Sequence, residues 1–393
     1  MRGLIEEIQR RTPLGWLQLS HHRGRLLVAI SGIAFADVLM FMQLGFQNAL
    51  YDSNTRLNRA MIGDIVLISP QSKNMQNMST FSRRRLLQAE DVSGVKSVRA
   101  MYVGLVAWKN PQTQRKTSVQ ALGFSPEQSL LNVPAIKNQL DTIKLPDYFL
   151  FDRGARGEYK QMFAKIDQGK IVSTEIEKRT IHVGGLFKLG ASFGADGILV
   201  SSDENFLRIF PRRQAGGVNL GLISVEPGYE ISQVAAAVKS RLGKNEDVKI
   251  LTFPEYIKFE EAYWKKESPI GFIFSLGVAM GFVVGVIIVY QVLSTDVNSH
   301  LKEYATFKAM GYNNMYLLGV IFEEAIILAT LGFIPGFIIP MGLYQMAKNA
   351  TNLPIYMTLS RAIFVLTLTL IMCMISGAIA TGKLQSADPA DMF

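Results

Sequence analysis

Three acids lie inside apolar runs, and no other residues of this chain are so placed for chemistry. Asp37 sits in the middle of residues 26–46, and Glu323 and Glu324 stand near the start of a second run, 317–344. An ionisable side chain at membrane depth is costly, so it is retained where it pairs, relays a proton or lines an ion path. Each has a plainer reading as well. The glutamates can sit at interface depth, and Asp37 can face a neighbouring helix and be hydrogen-bonded there.

Other chemistries find less support. Gly190, Ser192 and Gly194 fit the G-x-S-x-G spacing of a nucleophile elbow, which needs a strand before it, a helix after it and a histidine partner. Here the run continues as Ala195-Asp196-Gly197, which is loop composition, and His182 is the only histidine between residues 47 and 269. A flexible glycine-rich loop accounts for it better. His21, His22, His182 and His300 are scattered, so no metal-ligand spacing is present. The single cysteine, Cys373, lies in an apolar run and offers no disulfide framework. No G-x-x-x-x-G-K-[ST] loop occurs, so the chain does not bind ATP in the P-loop manner by itself. Enzymatic chemistry has no support in these residues.

The elements that hold the three acids are membrane spans. The 393 residues are 49% hydrophobic and 19% charged, with mean hydropathy +0.19. Soluble domains carry about 25% charged residues, and a deficit is expected when part of a chain lies in lipid. Residues 26–46 form a first apolar stretch of the length that crosses a bilayer, roughly 20 residues. It is too long for a signal-peptide core and no small-x-small site follows it, so an uncleaved span is expected. Residues 270–293 carry no charge and are the strongest span signal. Residues 317–344, interrupted by Pro335 and Pro340, and 362–381 complete four spans, with a short outer loop at 345–361. Gly277, Gly281 and Gly285 recur every fourth residue, and Gly332 and Gly336 repeat the spacing, which suits close helix packing.

Residues 1–25 hold Arg2, Arg10, Arg11, Arg23 and Arg25, with Leu4, Ile5 and Ile8 at helical spacing, and read as an amphipathic surface helix. Those arginines outnumber Arg56 and Arg59 beyond the first span, which places both termini, including the tail 382–393, in the cytoplasm. Residues 47–269 then lie outside. They carry 31 Lys/Arg against 23 Asp/Glu, an excess that fits an anionic lipid or acidic partner, or simply a solvated surface. The basic residues are spread out, and nucleic-acid binding is not expected.

Within that segment, 64–68, 102–108, 116–122, 171–172, 180–183 and 197–201 read as strands from β-branched and aromatic content. Residues 203–210, 231–242 and 254–266 read as helices, the last running almost without a break into 270–293. The expected fold class is therefore an α-helical membrane protein of four transmembrane helices, with a large α+β extracytoplasmic domain between the first and second.

Between the second and third spans lies residues 294–316, the only sizeable polar stretch in the C-terminal third. Val297, Leu301, Tyr304 and Phe307 follow spacings of four, three and three along one helix side, and Gly311 is a natural stop. Residues 302–311, KEYATFKAMG, resemble the R-E-I-G-x-x-[KR]-A-[LM]-G segment of MacB/FtsX-type (type VII) ABC transporter permeases. The match follows the second span, as in that family. Residues 14–19 before a basic pair and a span are similar to the family's start, and Asp388-Pro389-Ala390-Asp391 resembles its closing segment. The variant at 303–312 is most similar to the DevC branch of cyanobacterial heterocyst glycolipid exporters. Lys302 stands for Arg, Tyr304 for Ile and Ala305 for Gly.

The resemblance implies a homodimeric permease of the inner (cytoplasmic) membrane, multi-pass, with its large domain in the periplasm. It implies a separate DevA-like ATPase that binds ATP and Mg, a DevB-like periplasmic adaptor, and a TolC-like outer-membrane channel. Export, of glycolipid in the DevC branch, is then driven by motion passed to the periplasmic domain. The ATPase contact carried over by the resemblance is Leu301, Lys302, Glu303, Tyr304, Phe307, Lys308, Met310 and Gly311. An alternative in another class is an FtsX-like regulator that activates a cell-wall hydrolase and exports nothing.

Overall fold

The computed structural model describes residues 23–242, 247–300, 306, 310 and 314–385. The chain divides into two units: 1–48 with 272–347 and 355–393, and 49–271 with 348–354.

Among the described residues of the first unit, four helices are long and apolar enough to cross a membrane. They are α1 (Arg23–Arg59), α9 (Pro269–Ser299), α10 (Asn314–Thr351) and α11 (Leu359–Gln385). The first reaches well past residue 46, and its last part, from Ala49, belongs to the second unit. Ala29, Ile33, Ala36, Met40 and Phe41 are buried at spacings of four, three, four and one, the signature of one helix face against a core. Outward residues are apolar too: Phe272, Leu276, Met280, Val283 and Ile287 leave a stripe of α9 exposed, as suits a helix whose solvent is lipid. Pro335 and Pro340 do not end α10, which continues to Thr351.

The second unit is built on a mixed sheet. Its strands are β1 (Ile65–Ile68), β3 (Val95–Lys109), β4 (Lys116–Phe124), β5 (Tyr148–Asp152), β6 (Val172–Ile176), β7 (Arg179–Phe187), β8 (Ile198–Ser202), β10 (Leu220–Val225) and β11 (Lys249–Thr252). A short pair, β2 (Phe81–Ser82) with β9 (Gly217–Val218), stands apart. The order is β11-β1-β10-β3-β4-β8-β5-β7-β6, and β6 also meets β3 at Trp108↔Ile176. Six strands from β3 round to β6 thus close on themselves. Side-chain alternation sends Tyr102, Phe149 and Phe151 to one face and Val103, Leu150 and Val200 to the other.

Helices cover both faces. On the first lie α2 (Arg84–Glu90), α5 (Lys160–Asp167), α6 (Asp203–Ile209) and α7 (Ile231–Leu242), through Leu86, Met162, Phe206 and Val238. On the second lie α3 (Pro134–Lys137), α4 (Leu140–Lys144) and α8 (Phe253–Ala262), through Ile136, Ile143 and Tyr256. Trp108 stacks on Phe151 at 4.7 Å, and Tyr159 follows at 5.0 Å from Phe151. Such aromatic pairs add about 0.5–1.5 kcal/mol each beyond their burial. Local signals place the helix starts: the Ser202 hydroxyl accepts the Asn205 N–H at 3.2 Å, and Glu255 accepts the Thr252 N–H at 2.8 Å.

Only a short interruption separates the helix expected at 254–266 from the apolar run. After α8 comes a π-helical turn, Tyr263–Glu267, then Ser268 in extended conformation before α9 opens at Pro269. The pyrrolidine ring of Pro269 disfavours helical backbone at the residue before it, which accounts for the break.

Candidate functional site

Asp37 is fully buried on α1. The Thr369 hydroxyl of α11 donates to its Oδ1 at 2.6 Å, while Oδ2 has no hydrogen-bond partner. From α10, Gly336 comes so close that a Cβ there would lie 2.7 Å from the Asp37 Cβ. Three helices therefore meet at one carboxyl group. The glycine is what lets α10 approach.

The other small residues lie against α1 as well. A Cβ at Gly277 would meet the Gln43 side chain at 2.4 Å, one at Gly281 the Met40 side chain at 3.1 Å, and one at Gly285 the Ala36 Cβ at 3.1 Å. Gly332 faces Ile33 in the same way, at 2.5 Å. Helix α1 is thus the element against which both α9 and α10 pack.

Glu324 is fully buried, and neither carboxyl oxygen has a hydrogen-bond partner. Its side chain points into the unit, against protein rather than outward. Glu323, its neighbour, is half-buried. No group of three or more His, Cys, Asp or Glu suited to a metal ion occurs among the described residues.

Sequence reasoning overlooked Arg361, which stands at the start of α11 and is almost fully buried. Its Nη1 donates to the Tyr344 hydroxyl at 3.2 Å and to the Tyr356 carbonyl at 2.8 Å, and Tyr344 in turn donates to the Phe41 carbonyl. A buried cation is costly unless its donors are matched, and here Nη1 is matched while Nε has no hydrogen-bond partner. The signal available was its position at the edge of an apolar run.

In the second unit the glycine-rich loop acquires a role. Residues 188–197 are irregular, with no strand-to-helix elbow at Ser192. The Ser192 hydroxyl is turned inward, accepting the Gly194 and Ala195 N–H groups at 3.2 and 3.1 Å, and His182 pairs with Ser173 at 2.9 Å. Gly190 takes φ +104°, and its N–H and that of Leu189 donate to the buried Asp152 at 2.7 and 3.0 Å. Burial raises the Asp152 carboxyl above its ordinary value, and these N–H groups counter the rise.

Arg156 connects that loop to the C-terminal end of α10. Its Nη2 donates to the Ser192 carbonyl at 3.1 Å, its Nη1 pairs with Asp196 at 2.9 Å, and its Nε donates to the Thr351 carbonyl at 3.0 Å. Asn352, held at φ +54°, donates from Nδ2 to the Ala155 carbonyl at 3.2 Å. Residues 348–354 are accordingly part of the second unit although apolar helices flank them on both sides. One guanidinium holds three backbone or side-chain acceptors in a fixed fork.

A second fastening in this unit is Glu260 on α8, which is fully buried. Its carboxyl accepts the Met75 N–H at 3.1 Å and the Trp264 Nε1–H at 3.3 Å, and the Tyr256 hydroxyl contacts the Met75 sulfur at 3.6 Å. Burial pushes Glu260 up to about 7, with the Met75, Trp264 and Asn58 donors acting against the rise.

The polar stretch expected to meet an ATPase lies largely outside the described residues: Leu301, Lys302, Glu303, Tyr304, Phe307, Lys308 and Gly311 are among those not described. Met310 is exposed, with its N–H donating to the Thr306 carbonyl at 3.0 Å. Residues 294–299 continue α9.

With these helices placed, comparison with known families is informative. Residues 275–389 match the family model described as FtsX-like permease C-terminal. The FtsX-like segment takes in most of α9, all of α10 and α11, and with them Glu324, Gly336, Thr351, Arg361 and Thr369. No curated protein matches the chain. Among solved structures, the periplasmic region of MacB from Actinobacillus actinomycetemcomitans aligns at TM-score 0.34 and 14% identity, covering 50% of this chain and 92% of its own. The extracellular domain of the noncanonic ABC-type transporter YknZ from Gram-positive bacteria aligns at TM-score 0.32 and 16% identity, covering 48% and 98%. Likenesses at those scores say nothing of what this chain binds or does.

Proposed function

We propose that this chain is the permease subunit of an ABC exporter, a dimer in a bacterial inner membrane that passes motion from a separate ATPase to its large periplasmic unit. ATP and Mg are then bound by the ATPase, and residues 301–311, among which Met310 is exposed, are its contact. The exported substrate is of the glycolipid class, handed to a periplasmic adaptor and an outer-membrane channel of the TolC type.

The observation that carries this reading is the Arg156 fork on Thr351. The segment joining two apolar helices of the FtsX-like region belongs to the polar unit, and the fork holds that segment's backbone within the unit. A rigid fastening suits transmission of force better than passage of a substrate through a wide channel.

The test uses the full chain with its ATPase. Replacing Phe307 and Met310 by glutamate leaves membrane insertion intact and abolishes stimulation of ATP hydrolysis and export. Normal stimulation and export in that variant would falsify the contact. Copurification separates the second class of function: an adaptor and channel support export, whereas a peptidoglycan hydrolase with no adaptor identifies an FtsX-like regulator.

A further inference from the structure

We propose that the groove beside the β6–β7 hairpin is a docking site for an acidic, extended segment of a partner protein. The groove has a volume of about 570 Å³ and is lined by Glu177, Arg179, Arg208, Phe210, Arg212 and Arg213. Four arginines line it from two elements, β7 and the end of α6 with the residues that follow it. The acids nearby are Glu177 and Asp147, so the groove carries a surplus of positive charge.

Three of the four arginines are held in place. Asp147 accepts from Arg179 Nε and Nη2 at 2.7 and 3.1 Å and lies 3.6 Å from Arg208 Nη1. Arg179 beside it holds the Asp147 carboxyl below its ordinary value. Arg213 donates to the Val103 carbonyl at 2.8 Å and to Asn219 Oδ1 at 2.7 Å, with its guanidinium 4.8 Å from the Phe210 ring centre. Arg212 is exposed. The turn that carries Glu177 has φ +46° there and +68° at Lys178, the pair of left-handed residues that a two-residue hairpin turn takes.

The chemistry selects among ligands. A metal cation is repelled by the surplus charge. A small inorganic anion leaves most of the volume unused. Anionic lipid surfaces are met by mobile basic clusters through diffuse charge, whereas forked guanidiniums in fixed positions match carboxylates pairwise. Arg179 and Arg213 already commit donors to Asp147, Val103 and Asn219, so a chain of Asp or Glu side chains along the groove meets the exposed Arg208 and Arg212.

The test is fluorescence anisotropy of labelled hexaglutamate with the purified full chain in detergent. Arg208→Glu with Arg212→Glu is expected to weaken binding by about tenfold or more, since two exposed pairs at up to 1 kcal/mol each are reversed. Lys170→Glu with Lys239→Glu, which changes net charge equally elsewhere on the unit, leaves it unchanged. Equal weakening by both pairs, or no binding by the wild type, overturns the proposal. So does displacement of the peptide by pyrophosphate or short-chain phosphatidylglycerol at concentrations where a second acidic peptide fails to compete. The groove proposal stands apart from the exporter reading, whose own test is ATPase stimulation, so either can fail alone.

Discussion

Arg156 donates from Nε to the Thr351 carbonyl at 3.0 Å, across a sequence separation of 195 residues. The same guanidinium holds Asp196 and the Ser192 carbonyl, so the contact is braced from behind. Removing the side chain strands two carbonyls and one carboxylate at a half-buried site. Arg156→Ala is expected to leave the unit folded, with a loss of about 1–3 kcal/mol, and to reduce export and ATPase coupling together. Arg156→Lys restores the charge without the fork and recovers only part of the coupling. Thermal unfolding and ATPase assays on the same preparations separate the two effects.

A second prediction concerns the Asp37–Thr369 pair. Thr369→Val keeps the shape of the side chain and removes the donor, leaving both Asp37 oxygens without hydrogen-bond partners. The cost is expected at about 1–3 kcal/mol, seen as a lower unfolding midpoint in detergent. Asp37→Asn together with Thr369→Val is expected to be milder than Thr369→Val alone, because the buried group no longer ionises.

Close approach at Gly336 is testable by a single methyl group. Gly336→Ala places a Cβ 2.7 Å from the Asp37 Cβ, both on stiff helix backbones, and overpacking of this kind costs about 1–3 kcal/mol. Gly342→Ala on the same helix meets nothing within 4 Å and is expected to be neutral or slightly stabilising. Similar midpoints for the two variants would remove Gly336 as the reason α10 reaches Asp37.

The polar unit should lose stability as pH rises from 4.5 toward 7. Glu260 has a folded pKa raised from 4.5 to about 7, so in that window the folded state holds a proton the unfolded chain has released. The contribution is fully present below pH 4.5 and has fallen by about 3 kcal/mol once pH exceeds the folded value. Glu260→Gln, with an uncharged carbonyl to accept from Met75 or Trp264, is expected to flatten the profile between those limits. A wild-type slope persisting in the variant assigns the pH dependence to other groups.

The sequence by itself settled the parts that depend on local period and composition. Uncharged apolar length marked residues 270–293, and β-branched content marked β1, β3, β4 and β8, because these signals are carried within one segment. The strand Tyr148–Asp152 went unmarked, lying in a short run after Pro146, and so did β10 and β11. Their burial comes from neighbours distant in the chain. Asp37 and the glycine stripe were visible as anomalies of residue type, while their partners were not.

Tertiary structure decided those partners. Arg156 meets Thr351, Glu260 meets Met75, and Asp37 meets Thr369 across separations of 195, 185 and 332 residues. Hydrogen bonds are satisfied by proximity in space, and nothing in the local pattern of any of the six residues encodes which distant group completes it. The glycine-rich loop shows the same limit from the other side: its composition announced a loop, and only the fold showed that Ser192 faces inward, that Gly190 donates to Asp152, and that Ser192 and Asp196 hold Arg156.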